Sequence, residues 1–340
     1  MSSQSVPVID IAPFASGTET EKKRVAQHVA EACSTIGFFS IVGHGVPIEI
    51  VENLREAAHQ FFEQPEQLKR KWSHPVPDTP RGFRALAGEA LGRTIRRDAY
   101  PDQKEFYHYG PENWPNKPYY TGPEGRNYFV PNLWPDEPAS FKKSAIAYYE
   151  EMDRLVVDVI HLIATALGLP EHWFDRMTDK HPTAARLNYY PLQQKEPPSG
   201  YFRAGEHTDY GMLTILMGED EPGGLQVRTH NAEWVDVETR PEFFIINIAD
   251  QLMRWTNDKW LSNMHRVVNP DPASRPRRGR LSVGYFFQPN YDAVIECIPT
   301  CTGPNDPPKY APVIAGKYRD LKYEQGNDVT SKNKTPEAGD

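Results

Sequence analysis

"GEHTDYGMLTILM", residues 205–217, changes character halfway along. Its second half, "MLTILM", is a β-type apolar run, and its first half sets His207 and Asp209 two residues apart. In an extended chain residues i and i+2 point to the same face, so both side chains could reach one ion while Thr208 turns away. With eleven histidines in the chain, an H-x-D pair arises by accident on the order of once. Its meaning therefore depends on what surrounds it.

From about residue 182 onward the texture is uniform. Short β-type runs alternate with turn signals: "ARLNYYP", "GLQVR", "EWVDV", "FFIINIAD", "MRWTND", "HRVVNP" and "RLSVGYFFQ". Many short strands at close spacing argue for an all-β sandwich or barrel. One of them, "MHRVVNP" (264–270), supplies His265 as a third ligand. Two histidines and a carboxylate on one side of an ion form the facial triad of non-haem Fe(II) oxygenases, although a zinc hydrolase would accept the same trio. In "RLSVGYF" (280–286) alternation places Arg280, Ser282, Gly284 and Phe286 on one face and Leu281, Val283 and Tyr285 on the other. Arg280 can take a carboxylate bidentately and Ser282 can add a hydrogen bond. A strand glycine such as Gly284 often marks close approach of a ligand. Alone, Arg280 reads as an edge ion pair and Phe286 as core; beside a triad they suit a dicarboxylic acid held next to a substrate.

The preceding residues read differently. "VPVIDIAPF" (6–14) and "GFFSIVGHG" (37–45) suggest short strands, and helical spacing covers 19–35 and 47–71. Residues 73–135 are rich in Pro, Gly and aromatics without a clear period. A long helix is expected over 137–167, stopped by Gly168 and Pro170. The expected organisation is a lead-in region (1–135), a long helix packing on the core (136–180), a β domain (181–325) and a polar tail (326–340).

Composition narrows the function classes. With 39% hydrophobic residues in 340 the chain can bury a core, and its net charge of -8 disfavours nucleic acid or an anionic membrane as partner. The one basic run, "RPRRGR" (275–280), reads as a solvated loop apart from Arg280. Three cysteines, Cys33, Cys297 and Cys301, make no disulfide framework or zinc pattern. The most apolar helical stretch (155–169) is short for a membrane span and carries Asp158 and His161. The opening "MSSQSVPVIDIAPF" has no basic and apolar leader pattern, so a cytoplasmic protein is expected.

Taken in order, "PVIDIAPF", "GFFSIVGHGVP", "RLNYYP", "EHTDYGMLTIL", "GGLQV", "NIADQLMRWTND", "HRVVNP" and "RLSVGYFFQPNYD" resemble the iron(II)/2-oxoglutarate-dependent dioxygenases of the isopenicillin N synthase-like class. The likeness runs from about residue 6 to about 320. It implies a mainly β fold, a double-stranded β-helix (jelly roll) core with flanking α-helices and an N-terminal α/β lead-in. It implies His207, Asp209 and His265 as iron ligands, and Arg280 and Ser282 as the seat of the far carboxylate of 2-oxoglutarate, with Asn188 and Tyr190 helping to hold that cosubstrate. The implied cofactors are Fe(II), 2-oxoglutarate and O2, with ascorbate as a reductant. The implied reaction hydroxylates, desaturates or cyclises a small organic metabolite and releases succinate and CO2. Met264, Ala249 and Glu206 depart from residues frequent in that class, so no single relative's substrate is carried over. Phe286, Gly284, Trp255 and Arg203 are expected around the substrate, with His108 a further candidate. An isopenicillin N synthase-type or aminocyclopropanecarboxylate oxidase-type enzyme that spares 2-oxoglutarate is the nearest alternative, and a non-catalytic metabolite-binding protein is one of another class. The oligomeric state is left open.

Overall fold

The computed structural model describes residues 5–331 apart from 77–78, 97, 194, 196, 220–222 and 272–277. Twelve strands build the two main sheets: β1 (Val8–Asp10), β2 (Phe38–Val42), β3 (Gly82–Arg84), β4 (Glu105–Tyr109), β5 (Ala184–Tyr190), β6 (Ala204–His207), β7 (Leu213–Gly218), β8 (Leu225–Arg228), β9 (Trp234–Asp236), β10 (Phe244–Ile248), β11 (His265–Val267) and β12 (Arg280–Phe287). The larger sheet runs β1-β2-β10-β7-β12-β5-β4-β3 and the smaller β6-β11-β8-β9. This is the jelly-roll arrangement, with helices outside it.

Alternation along β12 decides which side of the large sheet becomes core. Leu281, Val283 and Tyr285 join one apolar cluster with Leu155, Val156 and Val159 of the long helix Phe141–Ala166. That helix is amphipathic, burying Phe141, Ala145, Tyr148, Met152 and Leu155 at helical spacing. Helices Glu19–Thr35 and Ile48–Phe62 pack against it. The first of these starts at a reciprocal capping box, Thr18 with Glu21. The opposite face of β12 carries Arg280, Ser282 and Phe286 into a cavity between the two sheets.

Register then aligns the polar face. β12 pairs with β5 so that Arg280 opposes Tyr190 and Ser282 opposes Asn188. β7 pairs with β10 so that Thr214 opposes Asn247. In the smaller sheet β6 and β11 set His207 directly opposite His265.

Several local expectations are corrected. The helix expected over 47–71 stops at Phe62 and resumes as Glu66–Lys69, because Pro65 lacks an N–H and disfavours helical geometry before it. The aperiodic stretch 73–135 holds β3 and β4; β4 is buried at four of five positions, so no alternation marks it. "MRWTND" is helix Asp250–Trp255 and its exit, not strand, and Asn257 and Asp258 take positive φ just beyond it. The last helix, Ala315–Ser331, continues into the expected tail. Arg275 and Arg277 of the basic run lie outside the described residues, and Arg278 pairs with Glu63 at 3.4 Å. No helix among the described residues is long and apolar enough to cross a membrane.

Candidate active site

His207 closes β6 and His265 opens β11, so the register of two short strands brings their rings to 4.2 Å between centroids. His207 Nδ1 lies 2.7 Å from the Gly205 carbonyl and His265 Nδ1 3.1 Å from that of Asn263. A carbonyl only accepts, so each Nδ1–H donates and each Nε2 keeps a free lone pair. Asp209 follows two residues after His207. Its Oδ2 accepts from Thr214 Oγ1 at 2.6 Å and Asn247 Nδ2 at 2.8 Å. Its Oδ1 faces both histidines, 4.0 Å from His207 Nε2 and 3.9 Å from His265 Nε2. These separations are too long for hydrogen bonds and within reach of one shared ion, all three ligand atoms lying inside 4.8 Å of one another.

Electrostatics favour the ligand form of His207 and Asp209. Burial and the neighbouring His265 push His207 down to about 3, so its ring is neutral at physiological pH. Burial alone would raise the Asp209 carboxyl, but His265, His207 and the hydrogen bonds from Thr214 and Asn247 outweigh it and hold the group below its ordinary value. Two imidazoles and one carboxylate fit a divalent iron of the facial-triad type. Sequence reading missed Thr214 and Asn247. The available signal was a polar residue inside an otherwise apolar strand, "MLTILM" and "FFIINIAD".

The cavity beside the trio is also lined by Arg280, Ser282, Asn188 and Tyr190. Arg280 is 1% exposed, and its Nε and Nη1 have no hydrogen-bond partner. Among the described residues no carboxylate lies within ion-pair distance of it. The Glu219 side chain, whose charge it feels, is committed to His59 at 2.7 Å and to the Leu281 N–H at 2.7 Å. Asn188 Oδ1 is likewise buried and unpartnered. A buried cation without a partner is costly, and the donor set suits a carboxylate ligand.

Arg203 is placed differently from the expectation. It does not line either cavity beside the trio; it packs on the Tyr190 ring, its guanidinium carbon 5.5 Å from the centroid, the same distance as that of Arg280. It too is 1% exposed, and none of its three guanidinium nitrogens has a partner. Burial and the Arg280 charge push it down to about 10, which leaves it cationic. Trp255 is also removed from the cavity. Residues 250–255 are helical, and the turn buries Trp255 in the core against Phe174, at 5.5 Å between rings.

On the other side of the trio a second cavity is walled by Phe286, Leu213, Tyr210, Tyr323 and a polar group centred on Glu89. Phe286 lies close over Gly284, where a Cβ would come within 2.9 Å of its ring. Glu89 forms a two-pronged pair with Arg186, at 3.0 and 2.7 Å, and meets Lys104 at 3.0 Å. Lys104 also holds Asp102 at 2.7 Å, and Asp102 accepts the Gly205 N–H at 3.0 Å, tying this loop to β6. Burial opposes both carboxylates. Arg186 and Lys104 overcome it for Glu89, which stays well below its usual range, whereas Asp102 is raised but remains paired. His108 Nε2 accepts from Arg186 Nε at 2.6 Å, and burial with that neighbour keeps its ring neutral. Glu89, Asp102 and Lys104 come from the aperiodic stretch, where no sequence signal marked them.

Comparison with known proteins agrees with this geometry. Residues 6–137 match the family model described as non-haem dioxygenase in morphine synthesis N-terminal, and residues 183–289 match the 2OG-Fe(II) oxygenase superfamily. The 2-oxoglutarate-Fe(II) type oxidoreductase hxnY of Emericella nidulans is 32% identical over 329 residues, 94% of this chain and 91% of that protein. Homoarginine-6-hydroxylase 2-ODD-233 of Oryza sativa subsp. japonica is 30% identical, covering 93% of this chain and 95% of its own. A full-length Neurospora crassa protein, solved as a crystal structure in complex with alpha-KG and thymine, superposes with a TM-score of 0.79 at 29% identity, covering 96% of this chain and 97% of that one.

Proposed function

The chain belongs to the 2-oxoglutarate- and Fe(II)-dependent oxygenases, and from that premise we propose how its residues divide the work and what kind of substrate they take. It is an oxidoreductase that uses Fe(II), O2 and 2-oxoglutarate on small metabolites. When bound, the iron supplies the redox chemistry with O2, in which 2-oxoglutarate becomes succinate and CO2 while the substrate is oxidised.

His207, Asp209 and His265 hold the iron, and Thr214 and Asn247 fix the carboxylate that faces it. Arg280 and Ser282 bind the far carboxylate of 2-oxoglutarate, with Tyr190 and Asn188 beside them. Arg203 contributes positive charge at the same end through the Tyr190 ring it shares with Arg280. A guanidinium and a carboxylate held several ångströms apart across an intervening ring attract by about 1 kcal/mol. Arg203→Gln is therefore expected to raise the KM for 2-oxoglutarate roughly three- to tenfold with kcat retained. A lowered melting temperature with an unchanged KM would make Arg203 a purely structural residue.

The substrate lies between Phe286 and the Glu89 group. The observation that carries its class is mutual neutralisation: Glu89 and Asp102 are matched by Arg186 and Lys104, and His108 is neutral. Among the described residues of this group no charge is left over for a substrate carboxylate or ammonium. A small, uncharged polar molecule with a flat face for Phe286 fits best. The Neurospora crassa protein, which binds thymine, is a relative of that kind. A rival reading comes from the homoarginine hydroxylase of Oryza sativa, whose substrate is a cation. Titration of the anaerobic protein loaded with Fe(II) and 2-oxoglutarate separates the two. Neutral heterocycles such as thymine should bind more tightly than carboxylate or guanidinium compounds of similar size, and the reverse order would overturn the assignment.

Phe286 should act on that substrate alone. Loss of a ring contact costs about 0.5–1.5 kcal/mol beyond area, so Phe286→Ala should weaken the substrate roughly three- to tenfold and leave the KM for 2-oxoglutarate within about twofold. Equal losses for both compounds would mean that the ring only supports the strand.

A further inference from the structure

The end of the long helix Phe141–Ala166, the turn after it and the first residue of the short helix Asp175–Thr178 bring together three side chains that line neither cavity beside the iron trio. His161 Nε2 lies 2.9 Å from Asp175 Oδ1, His172 Nδ1 lies 3.1 Å from Asp175 Oδ2, and the two ring nitrogens are 3.3 Å apart. Among the described residues this is the one cluster besides His207, Asp209 and His265 in which three such ligand atoms converge.

Hydrogen bonds account for two of the three contacts, provided each nitrogen carries a proton toward the carboxylate. The third contact then sets two N–H groups side by side with their positive ends in the same space. The conflict disappears if both protons move to the outer ring nitrogens and one cation takes their place, because three lone pairs then share a single positive centre. For His172 the move is easy, since its side chain is 70% exposed. Two imidazoles and a carboxylate suit zinc and other borderline divalent ions, not magnesium or calcium, which prefer all-oxygen ligation. Asp175 is 46% exposed, so water can complete the coordination.

We propose that His161, His172 and Asp175 form a second, structural site for a zinc-type divalent ion, separate from the iron site. Bound there, the ion clasps the end of the long helix to the segment that leads into β5, across the turn at Gly168 with its φ of +70°. A clasp of this kind binds the folded chain better than the unfolded one and so stabilises it.

The test uses the full-length protein stripped of metal. Equilibrium dialysis against zinc, read by elemental analysis, should find two ions per chain in the parent and one in His172→Ala and in His161→Gln. Iron-loaded His172→Ala should keep the parent's turnover of 2-oxoglutarate. Added zinc should raise the melting temperature of the iron-loaded parent and leave that of His172→Ala unmoved. A single zinc in the parent, or two that persist in both variants, overturns the proposal and leaves the three side chains as a hydrogen-bonded turn.

Discussion

Arg280→Gln is expected to raise the apparent KM for 2-oxoglutarate by two to three orders of magnitude while iron content stays at the parent's level. The guanidinium is buried, has two nitrogens without a partner and finds no carboxylate of the described residues at ion-pair distance. A carboxylate arriving there would be desolvated and doubly hydrogen-bonded, and removing one member of such a pair costs roughly 3–5 kcal/mol. That free energy corresponds to about two to three decades in affinity. Arg280→Lys should fall between, since an ammonium keeps the charge and loses the fork. Shorter 2-oxo acids without a second carboxylate should serve the Gln variant better than they serve the parent. Succinate or CO2 release against cosubstrate concentration measures all three. A KM within twofold of the parent for Arg280→Gln would make Arg280 structural and return the cosubstrate assignment to the nearest alternative, an oxidase that spares 2-oxoglutarate.

His265→Ala and Asp209→Ala should each abolish substrate oxidation and remove most of the iron. Each takes one of three protein ligands, and among the described residues no further His, Cys, Asp or Glu joins the cluster to replace it. The residues behind the carboxylate should give a graded effect. Without Asn247 or Thr214 the Asp209 carboxylate loses one of the two hydrogen bonds that aim Oδ1 at the histidines. Asn247→Ala and Thr214→Val should weaken iron binding by roughly ten- to a hundredfold without abolishing turnover at saturating iron. Metal analysis of protein purified without air, together with turnover at increasing Fe(II), separates the two classes. Normal iron in His265→Ala would mean that the third ligand lies elsewhere.

What sequence could determine was set by short-range geometry. A strand repeats every two residues, so "GEHTDYG" and "RLSVGYF" display which side chains share a face without any partner strand being known. The apolar face of β12, Leu281, Val283 and Tyr285, lies in the core and its polar face in the cavity, as alternation requires. The order of motifs along the chain identified the family for the same reason, since each motif is a local run. The same logic failed where the period was short or absent. "MRWTND" offered too few residues to distinguish a helical turn from a strand, and Trp255 consequently moved from the expected substrate wall into the core.

The tertiary structure alone decided which distant groups meet. His265 faces His207 because β6 and β11 pair in one register, a long-range contact that no local pattern encodes. Glu89, Asp102 and Lys104 lie in a stretch without periodicity, and Arg186 lies on β5; only chain closure puts their charges within 3 Å or so of cancellation. Arg203, expected beside the substrate, is instead buried on the Tyr190 ring. Alternation is a property of one strand and is written in one strand. The neutrality of a pocket, and the isolation of a buried charge, are sums over every element that surrounds them.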